Sequence, residues 1–218
     1  WITTILYFSY LMINIVLPYT TWRHDVDFLL TKQDIIHLIY YRASFYLHLF
    51  SSTVVLVCGI FLFSKYILLK FKKWHRYIGK LYVGLVLFVS APSGLVMSFH
   101  ANGGAFAKVS FILLSILWWW FTFQGLTTAK SLQFKAHKNW MIRSYALTLS
   151  AISLRLSQVI LSSYFSIEPE LQYLIISWTS WLGNLIIAET IIYYQSHSQR
   201  MTVKSATFSR RSTTKVIG

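Results

Sequence analysis

A 218-residue chain with 56% hydrophobic and only 12% charged residues would expose too much apolar surface as a soluble domain, whereas long apolar runs with few charges are the signature of membrane-spanning helices. The formal charge of +14 is spread through short loops between those runs and not gathered on one soluble face, which excludes a nucleic-acid binder and follows the positive-inside rule. The single cysteine, Cys58, lies within an apolar run, so it supplies neither an intrachain disulfide nor a cysteine metal cluster.

Six apolar runs follow one another, Trp1–Tyr19, Ala43–Leu69, Ile78–Phe99, Val109–Thr128, Met141–Phe165 and Leu171–Tyr194, each near the roughly 20 residues that span a bilayer. The first carries no charge and no small-residue cleavage site, so it reads as a retained helix, and a chain that starts at Trp1 is expected to have residues upstream. Between it and the second run, Thr20–Arg42 forms the longest loop. Its apolar residues Leu29, Ile36, Ile39 and Tyr40 suit a short helix lying in the interface, with Tyr40 and Tyr41 in the aromatic belt. Fifteen of the twenty cations fall on the opposite side, around Lys65–Lys80, Lys130–Arg143 and the tail beyond Arg200, while five of the six acids share the side of the long loop. This bias places both termini in the cytoplasm of a bacterial inner membrane. The Ser/Thr-rich basic tail, residues 197–218, is expected to be loosely ordered and drawn to anionic lipid.

The third run contains Pro92 and Gly94 in "SAPSGLVMSF", which predicts a kink and a close helix approach. The fourth contains "WWWFTFQG", aromatic in all directions. The fifth has a polar line at helical spacing: His137, Met141, Ser144, Thr148, Ala151, Arg155, Gln158 and Ser162. Leu147, Leu154 and Leu161 form a flank expected to meet lipid, and Ala146, Ser150, Ser153 and Ser157 form a small-residue side for close packing. Arg155 is therefore expected to point into the bundle, where its burial, about 2.5 to 3.5 kcal/mol on insertion scales, calls for an anionic partner, carbonyls or water. Glu189 is the only carboxylate within a span, but it lies about eight residues, or about 12 Å, off the depth of Arg155.

"FKKWHRYIGKLY" and "FKAHKNWMIRSY" open the third and fifth runs with an echo of His, cation and Tyr: His75, Lys80, Tyr82 and His137, Arg143, Tyr145. The echo sets His75 and His137 at matching depth on the basic side; His48, which shares an inward face with Ser44 and Ser51, and His100 lie toward the other side. One His pair per face is what a two-haem b-type cytochrome requires. Histidines beside cations at a boundary also serve simply as headgroup contacts.

Taken together, "HLFSS", "WHRYIGKLY", "SAPSGLVMSFHANGG", the tryptophan-rich fourth run and "HKNWMIRSYALTLSAISLRL" resemble a bacterial family of membrane proteins, domain of unknown function 2306, over about Arg42 to Ser163. The resemblance makes His48, His75, Arg76, Gly79, Ser90, Gly94, His137, Trp140, Arg143, Ser144 and Arg155 the motif residues and carries no established activity. A four-helix core with histidines near the helix ends is also similar to cytochrome b561-type bundles, by analogy of architecture.

The expected fold is an all-α integral membrane protein, with six transmembrane helices around a four-helix core. Residues 1–41 form the first helix and outer loop, 42–165 the core, 166–196 the sixth helix and 197–218 the tail. The functional expectation is a redox-type membrane subunit that binds b haem or quinone through His48, His75, His137 and Arg155, with His75 and His137 as the haem-iron ligands. The competing expectations are a non-catalytic subunit docking a larger membrane complex, and a small-solute or proton carrier, which the scarcity of intramembrane carboxylates disfavours.

Overall fold

The computed structural model describes the backbone of residues 2–216 and the side chains of Tyr7 and residues 10–198. The basic side chains of the tail beyond residue 198 lie outside the described residues. Among the described residues every regular element is helical. Five segments are long and apolar enough to cross a membrane: Ile39–Leu62, Lys72–Ser98, Gly104–Lys130, Phe134–Tyr164 and Pro169–Ser198. The first helix, α1 (Ile2–Val16), has 15 residues and is shorter than these.

The second span is one helix, α2 (Ile39–Leu62), followed by a short amphipathic turn, α3 (Lys65–Lys70). The third span is α4 (Lys72–Leu85), a π-helical turn at Val86–Ser90, and α5 (Ala91–Ser98). Pro92 explains the turn. Its missing N–H leaves one carbonyl without a donor a turn back, at Leu87 in the π register, and side chains from outside the helix bond to the turn. The Trp119 indole N–H donates to the Leu87 carbonyl at 3.1 Å, and the His48 Nδ1–H donates to the Ser90 carbonyl at 2.8 Å. The fourth span is α6 (Gly104–Lys130).

The fifth span divides into α7 (Phe134–Thr148) and α8 (Ser150–Tyr164), with a turn at Leu149. A polar side chain enters the ladder there: Asn184 Nδ2 donates to the Ala146 carbonyl at 3.2 Å, and Ser153 Oγ donates to Asn184 Oδ1 at 2.9 Å. Ser153 thus uses the small-residue side as expected. Leu147 does not face lipid as expected but is 2% exposed, packed with the core. The last helix, α9 (Pro169–Val216), continues through the tail, where a loose segment was expected. No proline and no glycine occurs between 184 and 217 to stop it.

The helices α2, α4, α5, α6, α7 and α9 all contribute to the main core of Val55, Cys58, Tyr82, Ala91, Trp118, Met141, Tyr145 and Trp181. The core therefore includes the last helix as well as the four spans before it. Close approach is bought by glycine: a Cβ on Gly59 would lie inside the Tyr145 ring. Helix α1 is peripheral and touches α2 and α8.

The Thr20–Arg42 loop does not lie on the bilayer as one interfacial helix. It folds into 3-10 turns, Leu17–Thr21 and Asp27–Lys32, that close over the end of the bundle. Leu29 and Ile36, expected to face lipid, are buried with Tyr19, Tyr41, Phe45 and Tyr46. Lys32 fastens this cap. Its ammonium, 4% exposed, donates to the His100 carbonyl at 2.6 Å and to Asn102 Oδ1, just past the end of α5.

Candidate functional site

Four polar assemblies lie along the bundle axis. The deepest is a hydroxyl cluster between α4, α6 and α7. The Tyr82 phenol meets Ser144 Oγ and Thr148 Oγ1, each at 2.9 Å. Thr122 Oγ1 meets Ser144 Oγ at 2.7 Å, and the Trp118 indole N–H donates to Thr148 Oγ1 at 3.1 Å. Thr122 also donates to the Trp118 carbonyl and Thr148 to the Ser144 carbonyl. Tyr82, Thr122 and Ser144 are inaccessible to solvent. The cluster makes one more hydrogen-bonding contact than it has protons to place, so its hydroxyls share and reorient them.

Ser144 and Thr148 belong to the polar line of the fifth run, and the structure does turn that stretch inward. Tyr82, Thr122 and Trp118 are partners that sequence reasoning did not assign to a site. The signal was present in α6, where Trp118, Thr122 and Gly125 recur at steps of four and three.

The second assembly lies at the basic end. His137 Nδ1–H donates to the Gly125 carbonyl at 2.8 Å, and a carbonyl acceptor fixes the tautomer that leaves Nε2 unprotonated. Gly125 permits this contact, because a Cβ there would press into Met141. His75, from α4, lies within electrostatic range of His137, and its Nδ1 is buried with no hydrogen-bond partner. The echo of the third and fifth runs thus corresponds to two imidazoles at the same end of the bundle, one on α4 and one on α7. Six residues further along α7, Arg143 stacks over the Trp140 ring at 4.7 Å and grips Glu189 with a two-pronged fork, Nε to Oε1 at 2.5 Å and Nη2 to Oε2 at 2.8 Å. Glu189 is therefore committed to Arg143 and not to Arg155.

His48 is elsewhere. It is locked edge-on against Trp118 (ring centroids 6.4 Å apart), and Gly94 makes room for it, since a Cβ would sit 2.9 Å from the imidazole. Ser51 and Ser90 hydroxyls, 2.7 Å apart, lie beside it. His48 and His137 touch α6 seven residues apart, at Trp118 and Gly125, which is about 10 Å along the axis.

Arg155 occupies the opposite end of the span from His137. Eighteen residues separate them along the fifth span, about 27 Å. Arg155 is half-buried, within electrostatic range of Tyr19 and Tyr173, and its Nη1 is 3.5 Å from Gln158 Oε1. Its neighbours among the described residues are phenols and an amide and not a carboxylate, and Gln158 and Ser162, the next residues of the polar line, are exposed. His100 stays beside the cap, against Tyr40 and Tyr41, apart from His48, whose Nδ1 is held at the Ser90 carbonyl. His48, His75, His137 and Arg155 accordingly do not form one pocket.

Outside the membrane, burial pushes the Lys32 ammonium below its ordinary range, and the Arg23 guanidinium holds the Asp25 carboxyl below the usual carboxylate value. Among the described residues no group of three or more His, Cys, Asp or Glu side chains is arranged to hold a metal ion. A two-imidazole set suits only an iron that brings its remaining ligands with it, as haem does. The His75 and His137 pair fits that requirement in ligand type: one ring is already oriented through Nδ1, and the other has a buried nitrogen awaiting a partner.

The comparisons with known proteins agree with the architecture. No curated protein and no solved structure matches the chain. The family model described as Predicted membrane protein (DUF2306) matches residues 45–192, from the second turn of α2 through the span of α9. With five helices fit to cross a bilayer and more than half its length inside that match, this multi-pass membrane protein belongs to the DUF2306 family.

Proposed function

We propose that the chain is a redox-type membrane subunit whose His75 and His137 hold b haem or a quinone headgroup at the basic end of the bundle. The observation that carries this is His75 on α4, its Nδ1 buried without a partner, within electrostatic range of His137 on α7, which the Gly125 carbonyl orients. When bound, haem supplies one-electron transfer and a quinone supplies two-electron, two-proton chemistry. The chain's own part is to present an unprotonated Nε2 on His137, to keep His75 Nδ1 shielded from solvent, and to neutralise Arg143 with Glu189 nearby. The Tyr82 cluster extends polar contacts inward from this end and offers exchangeable hydroxyl protons. His48 and Arg155 belong to other levels and are not needed at this site.

The same reading has α1 as a sixth span. It carries no charge, packs on α2 and α8, and runs on into Leu17–Thr21. With it, the cation bias sets both termini on the cytoplasmic side of a bacterial inner membrane. The test is direct. Detergent-purified protein is expected to show a Soret band that shifts with dithionite, or to yield a quinone on solvent extraction; protein with neither removes the proposal.

A second reading is favoured by one observation, the self-satisfied hydroxyl cluster, which needs no ligand to justify its burial. In that reading the chain is an accessory subunit of a larger membrane complex, and it co-purifies with fixed partners whether or not His75 and His137 are present.

A further inference from the structure

A groove of about 860 Å³ runs along the lipid side of the bundle between α2 and the π-helical turn of the third span. It takes no part in the reading above and lies toward the end that carries the cap. Its lower wall is apolar, with Leu47, Phe50, Val54, Leu85 and Val89, and its mouth is formed by Trp22, His24 and Arg42.

Three observations distinguish it from an ordinary lipid-facing surface. First, Arg42 has no carboxylate partner among the described residues, and the nearby Asp25 is already paired with Arg23 at 2.6 Å. Second, Tyr46 in the wall is 6% exposed, yet its hydroxyl has no hydrogen-bond partner, and it lies within electrostatic range of Arg42. A buried phenol without a partner is a standing cost to the fold unless an acceptor occupies the space beside it. Third, Arg42 and Val54 are twelve residues apart on one helix, about 18 Å, and one leaflet of a bilayer core is about 15 Å thick.

A cation and a hydroxyl donor at the interface, above an apolar trough one leaflet deep, match the division of a phospholipid into anionic head and acyl chain. We propose that this groove is a specific binding site for one anionic phospholipid of the leaflet on the cap side, with its phosphate at Arg42 and Tyr46 and one acyl chain reaching Val54. Trp22, its ring tilted against Tyr46 with centroids 4.6 Å apart, closes the mouth from the cap. Isolated surface cations attract anionic lipid loosely; here a fixed donor pair and a shaped trough select one molecule.

Native mass spectrometry of the full chain in mild detergent tests this, titrating palmitoyl-oleoyl phosphatidylglycerol against phosphatidylcholine of the same chains. One phosphatidylglycerol per chain is expected to bind about tenfold more tightly than phosphatidylcholine, with inorganic phosphate failing to displace it. Arg42→Gln is expected to abolish that preference, and Lys73→Gln, an exposed cation at the opposite end, to preserve it. Val54→Trp fills the far end of the trough at a position 43% exposed, so it keeps the test independent of the cap; it is expected to weaken phosphatidylglycerol binding with Arg42 intact. Equal retention of the two lipids, an unchanged preference in Arg42→Gln, displacement by phosphate alone, or unaltered binding in Val54→Trp would each overturn the proposal.

Discussion

Tyr82 illustrates what a single buried hydroxyl does in this bundle. Its phenol serves Ser144 and Thr148 at once, in a region that no solvent reaches. Tyr82→Phe keeps the ring and removes the shared oxygen, so two hydroxyls lose a partner. The expected loss is about 1 to 3 kcal/mol, seen as a lower midpoint of thermal unfolding in detergent, while Tyr66→Phe, at an exposed ring, leaves it unchanged. At this scale the sequence was legible where periodicity speaks. Ser144 and Thr148 stand on the polar face, buried as the spacing predicts, and Cys58 is an ordinary buried thiol. It was silent on pairing, because spacing along one helix cannot say which residue of another helix stands opposite. The partner of Glu189 is Arg143, and Leu147 faces the core because the turn at Leu149 interrupts the regular spacing from which its flank was read.

At the scale of elements, the third span is held by repairs from its neighbours. Proline withdraws a donor in mid-membrane, an indole from α6 supplies a replacement at the Leu87 carbonyl, and an imidazole from α2 ties down the Ser90 carbonyl beside it. Trp119→Phe leaves the Leu87 carbonyl without that donor and is expected to cost about 1 to 3 kcal/mol; Trp119→Phe combined with Pro92→Ala, which restores a backbone donor, is expected to recover part of it in the same unfolding measurement. The kink was foreseeable from "SAPSG", whereas its repair by Trp119 was hidden among three consecutive tryptophans. The cap over the long loop was read as an interfacial helix because Leu29 and Ile36 look equally apolar to lipid and to protein. Lys32 decides between them, since a buried ammonium needs fixed acceptors and finds them beyond α5. Burial lowers its folded pKa below that of the unfolded chain, so between those two values the unfolded state holds more protons and stability rises with pH. Tightening of the cap up to about pH 10.4 is therefore expected, read as slower proteolysis of the Thr20–Arg42 loop; Lys32→Met removes the pH dependence.

At the scale of the whole molecule, polar groups are stratified. Two imidazoles stand at the basic end, hydroxyls at mid-depth, His48 and its serines next, and Arg155 with Tyr19 and Tyr173 near the cap. Composition and charge bias were enough to read an all-helical membrane protein with its basic loops on one side. They could not show that four candidate residues are spread over about 27 Å, because depth in a bundle depends on how each helix is staggered against the next. The function proposed here depends on one level of that column, and variants at different levels separate it from a general effect on folding. The most direct measurement is the content of bound haem or quinone per chain in purified wild type and in His75→Ala, His137→Ala and His48→Ala, each checked for a wild-type elution profile. Loss of the bound molecule in the first two, with retention in His48→Ala, is the predicted result; a wild type that carries none, or equal content in all four proteins, would contradict it.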